Sequence, residues 1–387
     1  MRSIEEINEV KMNKAIYIHI PFCAKKCYYC DFTSYVGRDE EINSYLDSLE
    51  KEMDLYMDKK EDIYSIFIGG GTPSLLSPDQ LDRLFGIIEK KVNLESLCEY
   101  TIESNPGTLT RDKLRTMKKH GVNRLSMGLQ AVQDKHLKFM GRIHDMDQFV
   151  ESFELARQEG LENINVDLIF AFEGQTLEDW KESLEKVVAM NPDHISAYSL
   201  IIEEGTTFYR MYQDGRLNDF DEDTYISMYR YTVEKLKDSG YHQYEISNYA
   251  KEGCECKHNI LYWDCLNYYG FGLGASGFIG DVRYTNTKNM KDYMEDLDNK
   301  KKPIEFKEVI ASKDRFNEKI ILGLRKNEGI LLDTVTKYLT DKEENDFMVK
   351  VKNYIDKGLL LVDNGRLRLG QEGREVSNSI FVDLMVD

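Results

Sequence analysis

No stretch of the chain approaches the roughly 20 uninterrupted apolar residues that a membrane-spanning helix needs. The opening segment, MRSIEEINEVKMNK, lacks the apolar core of an export signal. A cytoplasmic location is therefore expected, with membrane association only through partners. Basic residues are in short supply: 51 Lys and Arg against 69 Asp and Glu give a net charge of −18. Nucleic acids are bound by surfaces that neutralise phosphates, so no nucleic-acid partner is expected. Cysteines number seven, an odd count. Without an export signal, that does not read as a disulfide framework. Low-complexity segments and short repeats are also absent.

What the sequence does contain is a coarse alternation. β-rich runs occur at Ala15–Ile20, Tyr64–Ile68, Tyr100–Glu103, Val122–Met127, Ile164–Phe170 and Ile195–Leu200. Between them lie amphipathic segments at Ile42–Met57, Pro78–Lys90, Arg111–His120, Met146–Glu159 and Thr176–Met190. Strand and helix in alternation predict βαβ units around a parallel sheet. Six units predict an α/β fold, an incomplete (β/α)6 barrel, and barrels place their chemistry at the C-terminal strand ends. Polar and Gly-rich positions collect at those ends: Gly69-Gly70-Gly71-Thr72-Pro73, Glu103-Ser104-Asn105-Pro106, Gly128-Leu129-Gln130 and Asp167.

The barrel is expected over 15–240, after an N-terminal extension at 1–14. An aromatic and Gly-rich segment follows at 241–305, packed on the barrel. A C-terminal domain fills 306–387. It reads as mostly helical and winged-helix-like, with a hairpin turn at Asp363-Asn364-Gly365. Its balanced charge suits a structural or interaction role.

The most specific motif is HIPFCAKKCYYCDF, with Cys23, Cys27 and Cys30 in a C-x3-C-x2-C spacing. Three thiolates on one loop suit three irons of a cubane cluster, leaving the fourth iron open to a small molecule. A structural zinc site usually takes four ligands in two pairs, which this loop fits poorly.

These residues resemble the signature of the radical S-adenosylmethionine (SAM) superfamily, in its coproporphyrinogen-oxidase-like form. GGGTPS, ESNPGTLT, RLSMGLQ, GRIH, INVDLIF, HISAYSLIIEEGT, YEISNYA and HNILYW resemble further segments of it, over about residues 15–284. Leu322-Gly323-Leu324-Arg325 extends the likeness into the tail. The resemblance implies a [4Fe–4S] cluster on Cys23, Cys27 and Cys30. It implies SAM contacts at Tyr17, Tyr29, Gly70, Gly71, Thr72, Glu103, Gln130, Arg142 and Asp167. Glycines let backbone approach a ligand closely. Carboxylates and an amide orient a ribose and an ammonium, and an Arg meets a carboxylate. The resemblance also implies an electron donor.

Two functions fall within this resemblance. One is oxygen-independent coproporphyrinogen III oxidase, a radical decarboxylase of propionates. The other is the HemW-type haem chaperone group, which binds haem as cargo and passes it to acceptor proteins such as respiratory-chain components. Three features favour the chaperone. Phe32 stands where the oxidase has a fourth cysteine, and only about 16 residues precede Tyr17. His258-Asn259-Ile260-Leu261-Tyr262-Trp263 also resembles the chaperones' HNxxYW motif, with His258, Tyr262 and Trp263 as the expected haem contacts. Two segments depart from that group: Glu173-Gly174-Gln175-Thr176 begins with Glu in place of Pro, and Gly274-Ala275-Ser276-Gly277 lacks a histidine. Cys256 is an alternative thiolate ligand.

Overall fold

The computed structural model describes residues 14–386. The expected extension at 1–14 lies outside them but for Lys14, which opens the first strand. Six parallel strands form the body: β1 (Lys14–Ile20), β2 (Ser65–Gly70), β3 (Glu99–Ser104), β4 (Arg124–Gln130), β5 (Asn163–Phe170) and β6 (His194–Ser199). The helices between them are α1 (Ile42–Tyr56), α2 (Pro78–Glu89), α3 (Arg111–Lys119), α4 (Met146–Gln158) and α5 (Leu177–Ala189), followed by α6 (Glu222–Asp238). Each predicted run coincides with one of these elements to within three residues at either end.

Helix starts follow local chemistry. Ser77 caps α2 in a reciprocal capping box with Gln80, and Pro78 occupies the first turn. Asp145 with Gln148 and Thr176 with Asp179 do the same for α4 and α5. The strands read as continuous apolar runs because both faces are covered. Ile16, Ile18, Ile66, Ile68, Ile102, Leu125, Val166 and Ile195 are all buried in one core with the helix faces.

The sheet does not close on itself. Its order is β7-β8-β6-β5-β4-β3-β2-β1-β9-β10-β11-β12. The added strands are β7 (His242–Gln243), β8 (Asn248–Ala250), β9 (Asn267–Phe271), β10 (Ser276–Ile279), β11 (Val282–Asn286) and β12 (Ile304–Val309). β8 pairs antiparallel to β6, and β9 pairs parallel to β1. The barrel is thus extended at both edges by the segment the sequence marks as aromatic and Gly-rich. Within that segment lie α7 (Lys257–Trp263) and α8 (Met290–Asp298).

A second core lies in the C-terminal region. It is built by α9 (Ser312–Gly323), α10 (Asp341–Asp356), α11 (Ser377–Leu384) and a small sheet of β13 (Ile330–Leu331), β14 (Leu360–Asp363) and β15 (Arg366–Leu369). Asn364 and Gly365, both at positive φ, form the two-residue turn of the β14–β15 hairpin. No helix among the described residues is long and apolar enough to cross a membrane.

Candidate functional site

The cysteine loop leaves β1 at Pro21 and is tied down at several points. His19, at the end of β1, contacts the Tyr17 hydroxyl through Nδ1 (3.0 Å) and the Thr33 carbonyl through Nε2 (2.7 Å). Tyr28 N–H donates to Met140 O (3.0 Å), and Phe208 N–H donates to Tyr28 O (2.8 Å). Tyr28 and Tyr29 pack on a small apolar cluster that includes Met140, Phe172 and Phe208. The loop therefore has its own underlying core.

On this loop Cys23 is buried while Cys27 and Cys30 are half-buried. Thr72 Oγ1 donates to Cys23 Sγ (3.6 Å) and Arg142 Nη1 to Cys27 Sγ (3.5 Å). Burial pushes the Cys23 thiol up, and the Cys30 thiol up to about 11. Among the described residues, no three His, Cys, Asp or Glu side chains converge on a single-ion site. A cubane takes one thiolate at each corner, which three cysteines spread along one loop can supply.

A cavity of about 540 Å3 opens beside the cysteines. Tyr29, Gly70, Gly71, Thr72, Glu103, Gln130, Arg142 and Asp167 all line it. Arg142 Nη2 donates to Gly128 O (2.6 Å) and Asn105 Oδ1 (2.7 Å), while its buried Nε has no partner among the described residues. Glu103 accepts from Gly70 N–H (3.0 Å). Burial, and then the neighbouring Asp167 carboxylate, push Glu103 up to about 8. Asp167 itself accepts from Ser126 Oγ (3.0 Å) and Asn165 Nδ2 (2.8 Å). The wall therefore sets a hydrogen-bonded carboxylate beside one that burial drives toward its protonated form. Cysteines, an arginine and paired carboxylates around one cavity form a donor set that fits a cluster and a zwitterionic nucleoside.

Tyr17 does not line this cavity. It lines a neighbouring cleft of about 390 Å3, together with His19, His258, Tyr262 and Tyr268. Cavity and cleft share Phe32, Phe67, Gly70, Glu103 and Asn259. The glycine strip between them is required sterically. Gly70 has φ +108°, and a Cβ there would collide with the His19 ring.

The three residues expected to contact haem lie in two places: His258 and Tyr262 line the cleft, and Trp263 does not. His258, in α7, is buried, and burial holds its imidazole down at about 3. Nδ1 meets Ser65 Oγ (3.0 Å) and Nε2 meets the Tyr262 hydroxyl (2.8 Å), so both ring nitrogens are engaged. Trp263 stands apart from the cleft, its ring under the Arg325 guanidinium at 4.7 Å. Cys256 is buried and donates to Glu99 Oε1 (3.4 Å), outside the cleft. The Gly-rich run after α7 also has an internal cause: a Cβ at Gly277 would strike the Tyr284 ring, and one at Gly270 the Ser276 carbonyl.

Sequence reasoning passed over two contributors inside segments it had singled out. Asn105 bridges Thr72 Oγ1 (2.9 Å) and Arg142, tying two strand ends together. Arg124, at the start of RLSMGLQ, is buried with Nε unpartnered among the described residues, and lines the main cavity. The available signal was position: Asn105 directly follows a strand end and Arg124 opens a strand otherwise buried and largely apolar.

The chain matches two family models and several known proteins. The family model described as Radical SAM superfamily matches residues 17–187, and the HemN C-terminal domain model matches 310–376. The chain is 38% identical to heme chaperone HemW of Bacillus subtilis, over 95% of this chain and 98% of that one. It is 38% identical to heme chaperone HemW of Lactococcus lactis, over 97% and 98% of the two chains. It is 32% identical to the mitochondrial radical S-adenosyl methionine domain-containing protein 1 of Mus musculus, over 96% and 87%. Among solved structures, coproporphyrinogen III oxidase (HemN) from Escherichia coli superposes with a TM-score of 0.83 at 24% identity, covering 97% of this chain and 91% of that one, a likeness of fold. The chain belongs to the radical SAM superfamily and, within it, to the family of the HemW heme chaperones.

Proposed function

We propose that this protein binds haem and hands it to acceptor proteins, on a scaffold that also holds a [4Fe–4S] cluster and SAM. Cys23, Cys27 and Cys30 hold the cluster. Tyr29, Gly70, Gly71, Thr72, Glu103, Gln130, Arg142 and Asp167 bind SAM in the adjoining cavity, and Tyr17 supports it through His19. When bound, the cluster supplies one electron to SAM, which requires an external electron donor. Arg142 neutralises the nearest thiolate, and the Glu103–Asp167 pair presents acceptors to hydroxyl groups.

The observation that carries the haem reading is the junction of the two cavities at Phe32. That ring is 58% exposed and walls both spaces, and Ile201, 66% exposed, lines the main cavity. A flat apolar ligand finds there an aromatic, partly open seat beside Tyr262 and Tyr268. The names of the relatives support the same reading. The acceptors are taken to be haem proteins such as respiratory-chain components, met from the cytoplasmic side.

The test is an anaerobic reconstitution followed by two assays on one sample. Spectroscopic titration should show stoichiometric haem binding, and coproporphyrinogen III with a strong reductant should remain undecarboxylated. Robust decarboxylation without haem binding would overturn the chaperone reading in favour of the oxidase. His258→Ala should lower haem affinity while leaving iron and sulfide content unchanged; an unchanged titration assigns His258 a purely structural role.

A further inference from the structure

The lumen of the barrel is polar, whereas closed α/β barrels fill theirs with branched apolar side chains. Alternate residues of a strand face opposite ways. Leu125, Met127, Val166 and Ile195 pack into the core beneath the helices. Their alternates Arg124, Ser126, Asn165, Asp167 and Ser196 line the main cavity.

Most of these groups satisfy one another. Asn165 Nδ2 donates to Ser126 Oγ (2.7 Å) and to Asp167 (2.8 Å), and Ser126 Oγ donates to Asp167 (3.0 Å). Ser196 Oγ donates to Asn165 Oδ1 (3.1 Å). Arg124 is the exception. It is only 2% exposed, and its guanidinium has no hydrogen bond or ion pair among the described residues. Glu99, whose charge reaches it, is already committed. That carboxylate accepts from Lys257 N–H (2.7 Å), His258 N–H (3.2 Å) and Thr101 Oγ1 (3.2 Å). A buried guanidinium without a partner is unfavourable, and an anionic ligand in the cavity would supply one.

We propose that Arg124 forms a carboxylate subsite of the main cavity and takes a propionate of the bound haem, an inference that rests on the haem reading above. One planar fork suits a two-oxygen monoanion, and Asp167 on the same wall disfavours a phosphate dianion. The carboxylate of SAM has a different cation, since Arg142 stands on the cluster side with Nη1 3.5 Å from Cys27 Sγ. Arg124 stands on the side of α7: Cys256, at the start of that helix, is among the groups whose charge reaches it. Asn259, also on α7, lines both the cavity and the cleft. A porphyrin seated beside Phe32, Tyr262 and Tyr268 therefore meets the main cavity at Asn259, and its propionate edge turns inward to Arg124.

The test titrates anaerobically reconstituted full-length protein with haem and with haem dimethyl ester, whose propionates carry no charge. The wild type should bind the ester about tenfold to a hundredfold more weakly, as expected for the loss of one charge-assisted pair. Arg124→Met should bind both porphyrins alike, near the wild type's affinity for the ester. Arg124→Lys keeps the charge without the fork and should recover part of the preference. Iron and sulfide are assayed on each variant, and the wild-type comparison stands even where a variant fails to fold. A wild type indifferent to esterification overturns the subsite and leaves the haem reading intact, whereas one that binds neither porphyrin overturns both. An Arg124→Met protein that keeps the preference for haem over the ester, or that loses affinity for SAM instead, also overturns the proposal.

Discussion

At the scale of single residues the site is decided by what surrounds each polar atom. Among the described residues, Cys23, Cys27 and Cys30 are the only cysteines on the cavity wall. Replacing all three with Ala should remove the iron, the sulfide and the visible absorbance of reconstituted protein. Replacing Cys254, Cys256 and Cys265 should not, and an iron assay on both triple variants decides it. Glu103 offers a pH test. Its folded-state value of about 8 lies above its ordinary 4.5, so the folded chain binds the extra proton across that window. Stability contributed by this group is therefore greatest at low pH and falls as pH rises toward 8. Glu103→Gln mimics the protonated form and should escape that loss. Urea midpoints at pH 6 and pH 9 should diverge, with the wild type falling further than the variant; parallel shifts would contradict the assignment. Much of this site was legible beforehand, because strand-end motifs carry their chemistry locally. His258 was not. Its imidazole is a ligand candidate by type, and only the fold reveals Ser65 and Tyr262 on its two nitrogens. Tyr262→Phe frees Nε2, so haem affinity should rise if that nitrogen takes the iron.

At the scale of elements, the alternation of β-rich and amphipathic runs located all six barrel strands and the helices between them, since such periodicity is a short-range signal. The extension β9–β12 left no such trace of its place. Its pairing with β1 joins residues roughly 250 positions apart, which no local pattern encodes. What secures it is a buried acid. Glu52, on α1, accepts from Gly272 N–H (2.7 Å), Asn286 Nδ2 (2.6 Å) and the Tyr293 hydroxyl (2.7 Å). One carboxyl thus ties α1 to β11, to α8 and to the turn after β9. Glu52→Ala strands three buried donors, and a loss of roughly 3 kcal/mol is expected. Chemical denaturation measures it; a loss below about 1 kcal/mol would mean that water replaces the carboxyl.

At the scale of the molecule the C-terminal core is coupled to the barrel by backbone bonds at Tyr244 and Asn327, by packing of Ile246 and by charged contacts. Arg230 on α6 grips Glu375 through two bonds of 2.8 Å. Arg325 covers Trp263 and lies 3.7 Å from Glu245, which is fully buried. Removing Arg325 leaves that carboxylate without its cation, a change that typically costs about 3 to 5 kcal/mol. Arg325→Ala should therefore loosen the C-terminal region first. Limited proteolysis should cut beyond residue 310 earlier than in the wild type, while the barrel resists; simultaneous loss of both would place the coupling elsewhere.

The position of β1 between β2 and β9 sets the timetable of synthesis. β1 and its cysteine loop leave the ribosome first, and β2 follows within some 50 residues. The other neighbour, β9, is made roughly 250 residues later. At about 5 to 20 residues per second, that is a delay on the order of 10 to 50 seconds. Through that interval β1, which leads into the cysteine loop, has one side open. The edge of β1 that β9 will cover is thus the last part of this strand's pairing to be completed.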